Sequence, residues 1–243
     1  MSDRAIPIDG RSYQVDGRAV ARRAIPDSAL IQYLMDEGGG TALADNTGNG
    51  NSGTLVGAGW SEDANAVGGW QTTYDGVDDY GEVDNSGGIE HAAFTVIITV
   101  EIGSGSIDNV NPLISKGPTR FGSGPASWSL EHMGADAGEI NMRVRDGSLI
   151  EPKTTTTITN ADTKFQAIGR VEEGNQVSVG INGQIEESLS VGTLEKLDDP
   201  IDWMSDQDND DFYVEGAVGT IEYHTEALSD AAIEDRYNNL PWS

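Results

Sequence analysis

FTVIITVEI, residues Phe94–Ile102, is the stretch that decides the fold. Phe94, Val96, Ile98, Val100 and Ile102 fall on one side of an extended chain, with Thr95, Thr99 and Glu101 on the other. A period of two with one apolar side is a β-strand that turns one face to a core. QVSVGING (Gln176–Gly183) repeats the pattern, with Val177, Val179 and Ile181 inward and a hairpin turn at Asn182-Gly183. Working outward, ALIQYLM, NPLIS, SWSLEH, EINMRVR, FQAIGRV and VGTIEYHT are further short runs separated by Gly, Asp and Asn. About twelve short strands with no alternating helices predict an all-β fold, an antiparallel β-sandwich. One short helix is expected at the C-terminus. Ser229 caps DAAIEDRYNNL, Leu228 and Ile233 occupy the positions of a hydrophobic staple, and Pro241 stops the helix. Its apolar stripe is Ile233, Tyr237 and Leu240.

Charge narrows the setting. The 243 residues hold 41 acidic and 14 basic side chains, a formal net charge of −27. Such a surface repels itself in dilute salt. At molar salt the screening length falls to about 3 Å, so a folded chain of this composition reads as halophilic. The patterned apolar runs argue against an acidic disordered chain. Nucleic acid is disfavoured as a partner, because phosphate contacts need Lys and Arg. With no cysteine there is neither a disulfide nor a thiolate metal site. No apolar run reaches the roughly 18 residues of a membrane span, so membrane insertion is not expected. MSDRAIPIDGRSY lacks the apolar centre of a signal peptide. The expectation is an extracellular or virion surface reached without one, or retention in the cytoplasm.

Residues 1–27 differ from the rest. They carry five of the basic residues (Arg4, Arg11, Arg18, Arg22 and Arg23) and four acids. This segment is either a flexible tail or a basic arm that docks on acidic neighbours and builds a homo-oligomer or larger assembly. The second domain expected is residues 28–243, the sandwich.

The ordered motifs from residue 29 to 240 carry a resemblance. LIQYLMDEGGGTALADNTGNGNSGTLVGAGW (Leu30–Trp60) has an apolar strand, an acidic-Gly turn, an Asp, a Gly-Asn-Gly loop and a Gly-Thr-Leu strand. WQTTYDGVDDYGEV (Trp70–Val83) adds an aromatic-Asp-Gly-x-Asp-Asp-Tyr turn. LISKG, WSLEH, VSVGINGQ and GTIEYHTEALSDAAIEDRY then follow in order. This succession resembles the laminin-G-like, concanavalin A-like lectin jelly rolls. The chain departs from many of them at Glu222, where they have Asp, and at Thr163-Lys164-Phe165, where a tryptophan is usual. The resemblance implies a jelly-roll sandwich that binds carbohydrate or protein ligands, often with a structural calcium.

Calcium takes six to eight oxygens. DNTGNGNSG offers Asp45, Asn46, Asn49 and Asn51; DGVDD offers Asp75, Asp78 and Asp79; and Glu222, on a last strand beside the first, could approach the first loop. The same Asp and Asn residues also serve turn geometry. In DDPIDWMSDQDNDD (Asp198–Asp211), Asp206, Asp208 and Asp210 imitate an EF-hand start, but the sixth position is Asp211 and the twelfth Ala217, so that reading fails. Sugar recognition pairs an aromatic platform with polar groups. Loop aromatics Trp203, Tyr213, Phe121 and Trp60 are candidates, whereas Trp128 and Trp70 are expected in the core. KGPTRFGSGPAS, with Lys116, Arg120 and Phe121, is a recognition loop or a long connection.

Catalysis finds little support. Glucanases of this architecture place Glu-x-Asp-x-Glu on one strand. Here Thr220 and His224 flank Glu222 at the alternate positions. His91, His132 and His224 are scattered, with no Gly-x-Ser-x-Gly nearby. The function expected is a non-catalytic lectin-like module of a multimeric assembly, directed at a cell-surface glycan or glycoprotein and plausibly a virion decoration or receptor-binding protein. The alternative is a purely structural assembly protein; a glycan-cleaving enzyme ranks third.

Overall fold

A computed structural model of the chain describes residues 12–15, 18–21, 27–84, 89, 91–117, 128–194, 199–206 and 212–242. In chain order the strands are β1 (Ser12–Val15), β2 (Arg18–Ala21), β3 (Ala29–Tyr33), β4 (Ala42–Leu43), β5 (Gly53–Val56), β6 (Gly59–Glu62), β7 (Trp70–Asp75), β8 (Tyr80–Val83) and β9 (Ala93–Ile102). They continue as β10 (Val110–Lys116), β11 (Trp128–Met133), β12 (Glu139–Arg145), β13 (Leu149–Ile150), β14 (Phe165–Glu172), β15 (Gln176–Ile181), β16 (Gln184–Ser190), β17 (Ile201–Trp203) and β18 (Glu215–His224). Helix α1 (Asp230–Asn238) follows.

Two antiparallel sheets face each other. The first runs β13-β12-β11-β10-β17-β8-β5-β4 and the second β16-β15-β14-β9-β18-β7-β6, with β3 also paired to β18. β1 and β2 pair with each other as a separate two-stranded sheet. Strand β18 serves two neighbours along one edge. Glu215–Val218 pair with β7, and Ile221–His224 pair with β3 beyond an irregularity between Val218 and Thr220.

The alternation in β9 sets the core. Phe94, Val96, Ile98, Val100 and Ile102 are all 2% exposed or less and join one cluster between the sheets with Leu130, Met142, Val179 and Trp203. Each such side chain contributes about 1.5–3 kcal/mol through burial. The opposite face of β9 is covered too. Ile97 packs with Ile168, Leu228 and Ile233 under helix α1. Thr95 Oγ1 accepts from Leu228 N (2.9 Å) and donates to Glu226 O (2.9 Å), which fixes the approach of the helix. Ser229 caps it as expected, its Oγ accepting from Ala232 N at 3.2 Å.

His132, on the inner face of β11, is fully buried. Its Nε2 lies 2.8 Å from Ile158 O and its Nδ1 3.1 Å from Asn111 Nδ2. A carbonyl only accepts, so Nε2 carries the proton and Nδ1 accepts from the amide, an uncharged ring. Burial accordingly holds the imidazole below its ordinary range, against the pull of the Ile158 carbonyl. The unfolded chain takes up that proton more readily. The stability contributed by the neutral ring is therefore complete above about pH 6.5 and is lost as pH falls below it. Thermal melts at fixed salt should show the midpoint falling from pH 7 to pH 5, with a shallower fall in His132→Gln; an unchanged slope would mean His132 is not the group titrating.

Candidate functional site

Strand alternation gives the first sheet an outer face of unusual character. On β11, Trp128, Leu130 and His132 point inward and Ser129 and Glu131 outward; on β12, Ile140, Met142 and Val144 point inward and Asn141 and Arg143 outward. Register then aligns Glu82, Asp202, Ser115, Ser129 and Arg143 in one row across five strands. The neighbouring row sets Glu131 beside Asn141, and Asn141 beside Lys153. The outer face of an antiparallel sandwich is ordinarily wet. Here Ser115, Ser129, Glu131, Asn141 and Asp202 are polar and yet 5% exposed or less.

The charges on this face are arranged as pairs. Glu131 Oε1 accepts from Ser129 Oγ (2.7 Å), and Glu131 Oε2 accepts from Arg143 Nη1 (3.2 Å). Arg143 Nε lies 2.5 Å from Glu151 Oε1, and Lys153 Nζ lies 3.6 Å from Glu139 Oε2. Burial pushes the Glu131 carboxyl above its ordinary range, and Glu151 pushes the same way; Arg143 and Ser129 only partly offset them. Asn141 is the exception to this pairing. Both its amide nitrogen and its amide oxygen are buried without a hydrogen-bond partner. An unmet buried polar group costs about 1–3 kcal/mol. A group that both donates and accepts would satisfy the amide, and a hydroxyl or a water does so.

The residues singled out in the sequence lie elsewhere. Trp203 is not a loop aromatic. It is a strand residue of β17 at 0% exposure, its ring tilted 42° to that of Tyr33 at 5.7 Å between centroids, with Nε1 donating to the Tyr74 hydroxyl at 2.7 Å. The acidic run around it conceals a three-residue strand paired to both β10 and β8. Tyr213 is half-buried and bridges Ser205 through the backbone. Arg120 and Phe121 lie outside the described residues, as does most of the 1–27 segment. Lys116, at the mouth of the expected recognition loop, turns inward and donates to Asp199 O at 2.7 Å. Trp60 lies on β6, and its Nε1 donates to Gly40 O at 2.8 Å.

The five expected calcium ligands separate as well. Asp45 is consumed by its own loop. Its Oδ1 accepts from Gln32 N, Thr47 N and Thr47 Oγ1, and its Oδ2 from Asn51 N and Thr47 Oγ1, all within 2.7–3.2 Å. Asn49 Nδ2 donates to Ala29 O (3.1 Å), which anchors the amide to the start of β3, apart from the Asp75–Asp79 turn. Glu222 lies under α1, far from a ligand role, because its Oε2 accepts from Arg236 Nε (3.1 Å) and meets His224 Nε2 (3.0 Å). Asp75 and Asp78 do come together, with Asp79, in the β7–β8 turn; one carboxylate oxygen of each lies within 4.8 Å of the others. Burial pushes Asp79 up, and Asp75 and Asp78 add to this, against a backbone hydrogen bond from Asp75 N. Asp79 Oδ2 is taken by that N–H and Asp75 Oδ1 by Val77 N, which leaves the other oxygens for a cation. Hard oxygen donors at this spacing fit calcium.

Two arrangements invite a catalytic reading. Ser28 Oγ lies 3.3 Å from His224 Nδ1, and His224 reaches Glu222. The carboxylate is shared with Arg236 of α1, which covers this side of β18, so the set ties the helix to the sheet instead of facing a substrate. Glu131 and Glu151 both grip Arg143, so neither stands ready as acid or nucleophile.

The Ser129–Glu131–Asn141–Arg143 face escaped the sequence reading. Alternation in WSLEHM and EINMRVR places these residues outward, but outward polar residues are the rule. Only register brings them together.

No family model matches the sequence, and no curated protein sequence matches it. Solved structures do. The receptor-binding domain of botulinum neurotoxin C/D mosaic serotype superposes with a TM-score of 0.65 at 14% identity, over 87% of this chain and 51% of that one. The binding domain of Paraclostridial Mosquitocidal Protein 1 gives 0.65 and 14% over 87% and 52%. The botulinum neurotoxin serotype D ligand-binding domain in complex with N-acetylneuraminic acid gives 0.66 and 15% over 87% and 51%. The chain thus spans about half the length of these structures. At such identities the likeness is one of architecture: this chain shares the antiparallel β-sandwich of these domains.

Proposed function

We propose that this chain is a non-catalytic carbohydrate- or glycoprotein-binding module and that the secluded polar face of β10, β11 and β12 holds the ligand. The observation that supports it best is the Asn141 amide, lacking both a donor and an acceptor beside Ser129, Glu131 and Arg143. Sugar hydroxyls supply both roles. Similarity to receptor-binding domains, one of them solved with a bound sugar acid, adds support. Within the lectin-like architecture we assign the chain to the laminin-G-like branch, on its ordered motifs from residue 29 to 240. The partner is a cell-surface glycan or glycoprotein, met outside a cell or at a virion surface. Residues 1–27, richer in arginine than the acidic remainder, join copies into an assembly suited to high salt. Among the described residues no helix is long and apolar enough to cross a membrane.

The test is binding of the purified full chain to a glycan and glycoprotein panel in molar salt. Saturable binding weakened tenfold or more by Asn141→Ala is expected. No binding by a folded, multimeric protein would transfer the chain to a purely structural assembly role.

A structural calcium at Asp75, Asp78 and Asp79 belongs to the same proposal. It would relieve the repulsion among three crowded carboxylates. Calcium at a hundred times its Kd stabilises by about 2.7 kcal/mol. For a chain of this size that raises Tm by about 5–10 °C over a chelator control. Asp79→Asn should remove the increment; an increment that survives it puts the ion elsewhere.

A further inference from the structure

We infer that the β10–β11–β12 face takes an uncharged, hydroxyl-rich sugar and rejects acidic sugars. The inference rests on the binding role proposed above and deepens it. Five carboxylates (Glu82, Glu131, Glu139, Glu151 and Asp202) share the face or its edge with three cations, of which Arg143 and Lys153 are already paired. Arg143 is held between Glu131 and Glu151, and Lys153 is held by Glu139. Lys116, the cation of the adjoining strand, points inward to the Asp199 carbonyl. A ligand carboxylate would have to take the guanidinium from a protein carboxylate while facing the remaining acids at low exposure, where charges are poorly screened.

The unmet demand on this face is of the opposite kind. Carboxylate oxygens accept only, and the Asn141 amide needs one donor and one acceptor. Neighbouring ring hydroxyls satisfy this set: one donates to Glu131 or to the Asn141 oxygen while another accepts from the Asn141 nitrogen. The face so differs from any site built to hold a sugar acid by a free arginine. One cation on β12 stands apart from these pairs. Arg145, half-buried, lies two residues beyond Arg143 toward the turn, about 7 Å along the strand, and is where an acidic sugar would have to anchor.

The experiment measures affinity of the full chain for matched glycans ending in galactose, glucose or mannose, in N-acetylhexosamine, and in sialic or uronic acid, at one fixed high salt concentration. Binding to a neutral terminus at least tenfold tighter than to its acidic counterpart is expected. Glu131→Gln should weaken it about tenfold, and Glu234→Gln on the exposed side of α1 should leave it unchanged. Glu131→Gln keeps the shape and leaves Arg143 paired with Glu151, so it should keep its fold, and a thermal melt confirms that. Tighter binding of acidic sugars, abolished by Arg145→Ala, would overturn the inference while leaving carbohydrate binding intact. Neutral-sugar binding indifferent to both Glu131→Gln and Asn141→Ala would overturn it by moving the site off this face. Binding of neither class by the folded protein would remove the binding role itself.

Discussion

Trp203→Ala is expected to cost about 3–5 kcal/mol of stability, the range for truncating a fully buried large aromatic. The size follows from three losses at one point. The indole is 0% exposed and packs against Tyr33. Its Nε1–H is the donor to the Tyr74 hydroxyl, itself so buried that its ionisation is pushed far above the ordinary tyrosine range. Removing the indole leaves that hydroxyl short of one partner, with Thr72 Oγ1 at 3.0 Å the contact that remains. The surroundings are also shaped to the ring. Gly81, opposite Trp203 in the register, has no room for a Cβ because the indole occupies that space, and Gly53 abuts the same ring. With glycines on one side and paired strands on the other, little can collapse into the vacancy. Denaturant unfolding should show the lower midpoint, with Trp203→Phe intermediate and Gly81→Ala destabilising by overlap with the indole. A variant as stable as the parent but unable to bind glycan would reverse the assignment and return Trp203 to a ligand role.

The burial of Trp203 depends on partners that no local sequence pattern links to it. The β9 alternation, the Ser229 cap and the Leu228–Ile233 contact were legible because each depends on residues a few positions apart. The strand around Trp203 was hidden because IDW is three residues long inside a run of seven acids. Its partners lie at least 85 residues away in β10 and 118 in β8, since Ile201 pairs with Lys116 and Val83. The candidate face has the same cause. Ser129 and Arg143 are ordinary outward residues of two strands until the register sets them side by side, with Ser115 beyond. Glu222 departs from the expected ligand role because β18 does meet β3, but its outward face carries a helix instead of opening on the first loop. Among the calcium candidates, a compact acidic turn keeps its oxygens together because only three residues lie between Asp75 and Asp79.

Arg236→Ala should be the second severe change, at about 3–5 kcal/mol, because it strips one partner from a buried ion pair. Arg236 is 6% exposed and Glu222 is 3% exposed. Their contact is the buried polar tie between α1 and the sheet, beside the more exposed Arg170–Asp230 pair and the apolar contact of Ile233 and Leu228 with Ile97 and Ile168. Arg236 Nη1 also donates to Ala232 O within the helix, so the side chain is oriented before it reaches the sheet. Without the guanidinium, a carboxylate stays in a poorly solvated place with His224 beside it. The helix is short, nine residues, and too short to persist undocked. Hydrogen exchange should therefore accelerate first in α1 and along β18. If the ion pair itself is the cause, Glu222→Gln combined with Arg236→Met should recover much of the loss, because the pair removed together leaves no buried charge behind. A double variant as unstable as Arg236→Ala alone would assign the cost to lost packing of the arginine stem. An Arg236→Ala protein within about 0.5 kcal/mol of the parent would show that the apolar contacts hold the helix unaided.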